Sequence, residues 1–207
     1  VQADGYYDLL APMVRTRLIT EKFLLMAVSD WLRKLGIVSY DKVATRDDNS
    51  MVLPRVGTFS WDLTAPSYLG PMVRTNRGGD NKPGFVVCDV HLGNAVTIEG
   101  ARPFIHKCQT LRSLRNLAPC LEIMVAREFE HDAFQTLKQN GIIPATPKNL
   151  FGEEIAAALL ELSAVLNKAA TQSIIDAEKF DNLFSKLGQI AGASNQLRGT
   201  LFEYLVA

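Results

Sequence analysis

The feature that most constrains this chain is a regular alternation of short and long apolar patterns in its second half. Three short apolar runs are typical of buried strands and lie at 85–90, 121–126 and 142–145. Three longer segments repeat apolar residues at helical spacing and follow these runs in turn, at 102–117, 129–137 and 152–166. Strands that alternate with helices are joined by right-handed crossovers, so the pattern predicts an α/β fold with a mostly parallel small sheet and flanking helices.

The residues before this alternation predict a smaller N-terminal module. Apolar residues recur at helical spacing from Leu25 to Leu35, and Gly36 follows as a helix cap. We therefore expect an amphipathic helix over 18–35. Short extended pieces around an acidic turn come after it, and the whole pattern favours a helical or winged-helix-like module over 1–75.

A loop separates the two parts. Residues 76–84 have the sequence NRGGDNKPG, in which four of nine residues are Gly or Pro and the others are polar. This composition favours turns over packing. We place a linker at 76–84 and an α/β domain at 85–170.

The remaining residues, 171–207, predict a helical tail. An apolar stripe ends at Gly188, and a last amphipathic helix is expected from Ser194 onwards. That helix reaches Ala207 in the middle of its apolar pattern. We therefore expect the chain to be truncated there, with the tail leading into a missing C-terminal domain.

Composition excludes several classes of protein. The 207 residues carry 22 basic and 22 acidic side chains, and 47% are hydrophobic, which argues against disorder, a fibre or a basic nucleic-acid coat. The apolar stretch at 155–166 is broken by Glu161 and is shorter than the ~20 residues of a membrane span. Three cysteines without paired spacing are typical of free thiols. We expect a soluble cytoplasmic protein with no membrane partner.

Two residues of the α/β part are candidates for chemistry. The sequence lacks the phosphate-binding loop, the dinucleotide turn, the paired-histidine zinc motif and the serine-hydrolase elbow. Asp89 interrupts an apolar strand near the carboxyl end, where parallel sheets bind ligands, or it accepts hydrogen bonds from a loop. Lys107 falls on the apolar side of the following helix and either extends to solvent or reaches Asp89. An acid with a nearby lysine can hold a metal-bound or phosphate-bearing ligand.

The same helix is a candidate for nucleic-acid binding. No acidic residue occurs between Glu99 and Glu122, whereas basic side chains occur at Arg102, His106, Lys107, Arg112 and Arg115. Arg102, His106, Arg112 and Arg115 are therefore candidate nucleic-acid-binding residues, and a solvated helix face is the alternative.

Two cysteines and two histidines of the sequence are candidate zinc ligands. Cys88, His91, His106 and Cys108 form a conceivable zinc set, although their spacing fits no standard ribbon and Cys108 belongs to an apolar helix face. We therefore expect no metal site from these four residues.

The last thirteen residues, NQLRGTLFEYLVA at 195–207, resemble the opening helix of restriction-endonuclease-like domains of the PD-(D/E)XK type. Those domains often begin with Arg-Gly, an apolar pair and a glutamate before their metal-binding strands. The resemblance implies that Glu203 is the acid of the first helix, near a divalent metal such as Mg²⁺. It also implies that a strand bearing an acid and an E-x-K strand should follow.

Residues 85–150 show a fainter resemblance to the later half of the same fold. In this resemblance, Glu122-Ile123-Met124 occupies the position of the E-x-K motif, with methionine in place of lysine. Lys107 corresponds to a lysine moved to a helix, as in some members of that superfamily.

Three functions follow as expectations. The first is an accessory region of a bacterial nuclease, with a role in anti-phage defence, that binds DNA, RNA, a nucleotide signal or a partner subunit. The second is a metal-dependent nuclease within this chain that uses Asp89, Glu122 and Lys107 as catalytic residues. The third is a non-enzymatic assembly domain whose last helix packs on another chain and forms a homo-oligomer.

Overall fold

The computed structural model describes residues 4–46, 53–75, 78–172 and 177–191. Its helices are α1 (Asp4–Lys34), α2 (Ile98–Ser113), α3 (His131–Gln139), α4 (Pro147–Phe151), α5 (Glu153–Gln172) and α6 (Ala177–Ala191), with a 3-10 turn at Gly70–Met72. Its strands are β1 (Ala44–Thr45), β2 (Arg55–Val56), β3 (Phe59–Ser60), β4 (Leu63–Ser67), β5 (Arg74–Thr75), β6 (Asn81–Lys82), β7 (Gly84–His91), β8 (Cys120–Ala126) and β9 (Ile143–Ala145). None of these helices is long and apolar enough to cross a membrane.

A mixed five-stranded sheet forms the centre of the fold, in the order β1-β4-β7-β8-β9. Strands β7, β8 and β9 are parallel, as the alternation of strands and helices predicts, and β4 and β1 extend them through antiparallel pairing. The predicted α/β class is confirmed. Two small hairpins, β2-β3 and β5-β6, lie outside this sheet.

Helices cover both faces of the sheet. On one face α1, α5 and α6 pack over alternate residues of the strands, including Val86, Cys88 and Val90 of β7. On the other face α2 and α3 cover Val87 of β7 and Met124 of β8. Two separate apolar clusters result, and because successive strand residues point to opposite faces, each buried strand contributes to both.

The N-terminal helix belongs to the same core as the sheet. α1 extends further towards the N-terminus than the helix predicted at 18–35, and most of its predicted apolar stripe is buried against the sheet, with Val28 and Leu32 fully enclosed. Leu35, the last residue of that stripe, follows α1 and is exposed. Strand β4 precedes the loop at 76–84 and pairs over five residues with β7, which starts at Gly84. The sheet therefore runs across the boundary that the sequence predicts at 76–84.

The crossover after β7 positions the candidate residues. α2 starts at the carboxyl end of β7, where the Thr97 side chain accepts a hydrogen bond from the Gly100 N–H group and caps the helix. Its predicted apolar face, including Phe104, Cys108 and Leu111, is buried on the sheet. α2 then leads to the amino end of β8, so its first turns lie nearer the carboxyl edge of the sheet and its last turns nearer the amino edge.

The C-terminal part of the chain is helical, as predicted, through α5 and α6. The predicted last helix from Ser194, including the segment 195–207 and Glu203, lies outside the described residues.

Candidate functional site

Strand register brings two aspartates together at one end of the sheet. Leu63, the first residue of β4, pairs with Cys88 of β7, so Asp62 lies beside Asp89 across the antiparallel pair. The Asp62 N–H group donates to Asp89 Oδ1 at 3.1 Å, and the Val90 N–H group donates to Asp62 Oδ2 at 2.8 Å. The register of β4 against β7 therefore places these two side chains next to each other.

Lys107 meets Asp89, as the sequence suggests. Its Nζ atom lies 2.5 Å from Asp89 Oδ2, and the two side chains are 18% and 26% exposed. The same nitrogen lies 3.7 Å from the centroid of the Trp61 ring and 5.9 Å from that of Phe104. Trp61 is itself buried and in edge contact with Phe104. Two aromatic rings and one carboxylate thus hold the ammonium group in place.

Arg46 joins a third carboxylate to this pair. Its Nη1 atom lies 3.0 Å from Asp62 Oδ1, and its Nη2 atom lies 2.8 Å from Glu21 Oε2. Glu21 comes from α1, is 4% exposed, and also accepts a hydrogen bond from the Leu92 N–H group at 3.4 Å. We call Glu21, Asp62, Asp89, Arg46 and Lys107 the carboxylate cluster.

Within the cluster, Asp62 has a pKa above its ordinary value. Burial raises the pKa of Asp62, and the negative charges of Asp89 and Glu21 raise it further. The hydrogen bond from Val90 and the charge of Arg46 act in the opposite direction but do not outweigh these effects. Burial is therefore the main cause of the raised pKa, and repulsion from Asp89 and Glu21 is a smaller one. A carboxyl whose pKa is raised by burial and by neighbouring charges is a candidate for a functional site.

The donor set of this cluster fits a hard divalent cation. Carboxylate oxygens are the ligands that Mg²⁺ prefers, and Mg²⁺ usually takes only one or two protein carboxylates and keeps several waters. Each oxygen of Asp62 and Asp89 has one hydrogen-bond or ion-pair partner, which leaves further lone pairs on the two carboxylates. Within the described residues, no group of three or more acidic, histidine or cysteine side chains is arranged as a metal site. The Asp62 and Asp89 carboxylates match, in kind and number, the one or two that Mg²⁺ usually takes from a protein.

Glu122 does not join the cluster. It pairs in register with Val87, whereas Asp89 lies opposite Met124. Its buried carboxylate is bound by two nitrogens of Arg112, each at 2.9 Å, and Arg112 also donates to the Asn140 carbonyl oxygen at 2.6 Å. Glu122 and Arg112 thus form a structural ion pair between β8 and α2. Asp62 stands where the nuclease interpretation placed Glu122.

The four candidate nucleic-acid-binding residues divide between the two ends of α2. Arg102 and His106 are exposed on its first half, towards the carboxyl edge of the sheet. Arg112, in the last turn of α2, is hydrogen-bonded to Glu122, and Arg115 is exposed beyond the end of the helix. The structure therefore does not gather the four into one basic face.

The conceivable zinc residues are also separated. Cys88 is buried in the cluster on the α1 face of the sheet, and Cys108 is buried in the cluster on the α2 face. His91 and His106 are exposed. Burial raises the pKa of the Cys108 thiol to about 12, which disfavours the thiolate that binds metal.

Sequence reasoning missed Glu21, Asp62 and Arg46, although one signal was present. Glu21 continues the apolar spacing of α1, four residues before Leu25 and seven before Val28. That spacing places its acidic side chain on the buried face of the helix. A charged residue on such a stripe is costly to bury and needs a partner. Asp62 and Arg46 carried no comparable signal, because only strand register brings them to the same edge.

A cleft of about 780 Å³ opens at the carboxyl edge of the sheet, next to the carboxylate cluster. The segments that follow β7, β8 and β9 line it together with α1 and α5. Arg17 and Leu92 belong to its wall, and both also contact Glu21. The cleft and the cluster are therefore adjacent parts of one surface.

Comparisons with known proteins give no family for this chain. It matches no protein-family model, no curated protein and no solved structure. The functional argument therefore depends on the chemistry of the site.

Proposed function

We propose that this chain is a metal-dependent nuclease, a hydrolase that cleaves phosphodiester bonds with the carboxylate cluster. The observation that carries the proposal is the juxtaposition of Asp62, Asp89 and Lys107. Two acids beside a held lysine can bind a divalent cation and a phosphate together. Glu21 contributes the third carboxylate, from α1.

The order of these residues supports the proposal. The PD-(D/E)XK resemblance implies an acid on an opening helix, an acid on a strand, and a second acidic strand with a lysine. Glu21 on α1, Asp62 before β4 and Asp89 on β7 follow that order, and Lys107 on α2 corresponds to a lysine moved to a helix. His91 stands two residues after Asp89, where the motif has lysine. This placement is an alternative to that of the segment 195–207, in which Glu203 is the acid of the first helix.

The chemical roles follow from the charges. Asp62 and Asp89 would hold Mg²⁺, which supplies Lewis-acid activation of the phosphate and of an attacking water. Lys107 offers a cation at the same place, where it can stabilise the negative charge that develops on a phosphate oxygen. Because Trp61 and Phe104 support the ammonium group from the other side, little reorganisation of Lys107 is needed for that role.

The test is nuclease activity of the full chain on plasmid DNA and on single-stranded DNA, with Mg²⁺ or Mn²⁺ and with EDTA. We expect cleavage that requires the metal and is lost, by at least about 100-fold, in Asp89→Ala and Lys107→Met. Asp80→Ala and Lys82→Met remove the same charges from an exposed loop and should retain activity. Circular dichroism must show that all four variants are folded.

Two outcomes would end this proposal. One is the absence of metal-dependent cleavage in the folded chain, and the other is full activity in folded Asp89→Ala. Metal binding supplies an independent readout, because Mn²⁺ should bind the native chain more tightly than Asp89→Ala in a calorimetric titration without DNA.

The accessory-region hypothesis, with its DNA or RNA, defence and partner-subunit roles, stays a prediction, as does the assembly domain. Both depend on the segment 194–207, which lies outside the described residues. A cytoplasmic location is part of the same proposal, and the three free cysteines support it.

A further inference from the structure

The cleft beside the carboxylate cluster has the features of a binding site for an unpaired polynucleotide strand. Its wall combines two aromatic side chains, Phe129 and Phe134, with three cationic ones, Arg17, Arg127 and Lys148. The aromatic rings lie in edge contact with centroids 6.2 Å apart, and both are partly exposed.

The position of the cleft ties it to the cluster. Arg17 lies 3.7 Å from Glu21 through its Nε atom, and the Leu92 N–H group donates to the same carboxylate. Arg127 follows β8, and its own N–H group donates to the His91 carbonyl oxygen at 3.1 Å, just beyond Asp89 on β7. The cleft therefore adjoins the cluster at Glu21, and Arg127 of its wall lies next to the end of β7 that carries Asp89.

We propose that this cleft binds single-stranded nucleic acid adjacent to the bond that the cluster cleaves. The inference rests on the proposed nuclease function and adds the class of substrate. Aromatic faces stack on bases that are unpaired, whereas a duplex must first extrude a base to offer its face. Arg127 is exposed, and no salt bridge within the described residues engages it, so its charge is available for the strand's phosphates.

The acidic residues of the wall refine this inference. Glu153 is paired with Lys148, which neutralises that part of the cleft, and Glu128 adds one more negative charge. Arg17 is paired with Glu21, so the excess of positive charge is small and is concentrated at Arg127. We expect moderate electrostatic affinity, with a larger share of the binding free energy from stacking on Phe129 and Phe134.

The test is binding of the full chain to a short fluorescein-labelled DNA oligonucleotide of mixed sequence, measured by fluorescence anisotropy in EDTA so that no cleavage occurs. The same oligonucleotide annealed to its complement gives the duplex arm, and ATP gives the mononucleotide arm. We expect tighter binding of the single strand than of the duplex, and no displacement of the strand by ATP at equal concentration.

Three variants and one control variant sharpen the measurement. Phe134→Ala should weaken single-strand binding by about 5- to 150-fold, the range for loss of one base stack. Phe134→Leu keeps an apolar side chain without a ring face and should also weaken binding, so the test survives if the alanine variant does not fold. Arg127→Ala should reduce the salt slope of the binding constant by about 0.7, the value for one phosphate contact with a single strand. Lys82→Ala, in the exposed β5-β6 hairpin and outside the cleft wall, should leave both quantities unchanged.

The outcomes separate this inference from the proposed function. Equal affinity for strand and duplex, full affinity in Phe134→Leu, or displacement of the strand by ATP would overturn the cleft as a single-strand site, whatever the cleavage assay gives. Single-strand binding that depends on Phe134 and Arg127 supports the cleft as a single-strand site. If Asp89→Ala nevertheless cleaves as well as the native chain, the nuclease proposal fails, and the position of the cleft beside a cleaved bond fails with it.

Discussion

Replacing Arg112 with leucine is expected to destabilise the protein by about 3 kcal/mol. Glu122 is 2% exposed, and both of its oxygens accept hydrogen bonds from Arg112, so the substitution leaves a buried carboxylate without its cation. Breaking a buried ion pair in this way costs about 3–5 kcal/mol. The Arg112 side chain is 38% exposed, and water can therefore reach the pair, which favours the lower end of that range.

Urea unfolding followed by far-ultraviolet circular dichroism measures this change. For a chain of 207 residues, about 3 kcal/mol corresponds to a decrease in Tm of about 6–12 °C. Arg115→Leu is the matched control, because it removes the same charge from an exposed position, and we expect a change within about 0.5 kcal/mol.

The double variant Arg112→Leu/Glu122→Leu tests the cause. It removes both charges, and most of the lost stability should return, because exchange of a buried ion pair for apolar side chains is often close to neutral. A loss below about 1 kcal/mol in Arg112→Leu, or no recovery in the double variant, would refute the reasoning. Either result would also return Arg112 to the candidate nucleic-acid-binding residues.

Two further predictions concern the site and the sheet. Asp62→Asn, measured in EDTA, should be more stable than the native chain, by an amount that grows as the pH rises. The raised pKa of Asp62 favours the folded state of the native chain most below the ordinary value of about 3.9, and this contribution is lost as the pH rises through the raised pKa. A stability advantage of Asp62→Asn that shrinks with rising pH in parallel urea titrations would contradict this. Gly84→Ala should destabilise the chain by about 1–3 kcal/mol, because a Cβ atom there would lie 2.5 Å from the Pro119 carbonyl oxygen and 2.6 Å from that of Met72, and an unchanged urea midpoint would refute it.

Much of the α/β architecture could be predicted from the sequence, because it depends on local periodicity. The runs at 85–90 and 121–126 correspond to β7 and β8, and the helical spacing at 102–117 corresponds to α2. The antiparallel strands were harder to predict. β1 has two residues, and β4 contains a proline, so neither shows an apolar alternation long enough to recognise.

Two of the five residues of the carboxylate cluster could be predicted, for a related reason. Asp89 stands out because it interrupts an apolar strand, and Lys107 because it lies on the apolar side of its helix. Asp62 is separated from Asp89 by 27 residues, and their proximity depends on the register of β4 against β7. Register is a long-range property set by both strands and their turns, which no spacing within one segment reveals.

The substitution Asp62→Asn distinguishes a functional role of the cluster from a structural one. Glu21, Asp62 and Asp89 bring three negative charges together, while Arg46 and Lys107 supply two positive ones. Burial and, to a smaller extent, repulsion from Asp89 and Glu21 raise the pKa of Asp62. Sites that keep such repulsion trade stability for activity. If the cluster serves cleavage, Asp62→Asn should therefore gain stability and lose metal-dependent activity. If the same carboxylates only hold β1, β4 and α1 together through Arg46, the substitution should lower the free energy of unfolding. A variant that is both less stable and equally able to bind Mn²⁺ would refute the catalytic interpretation of Asp62 even before a substrate is known.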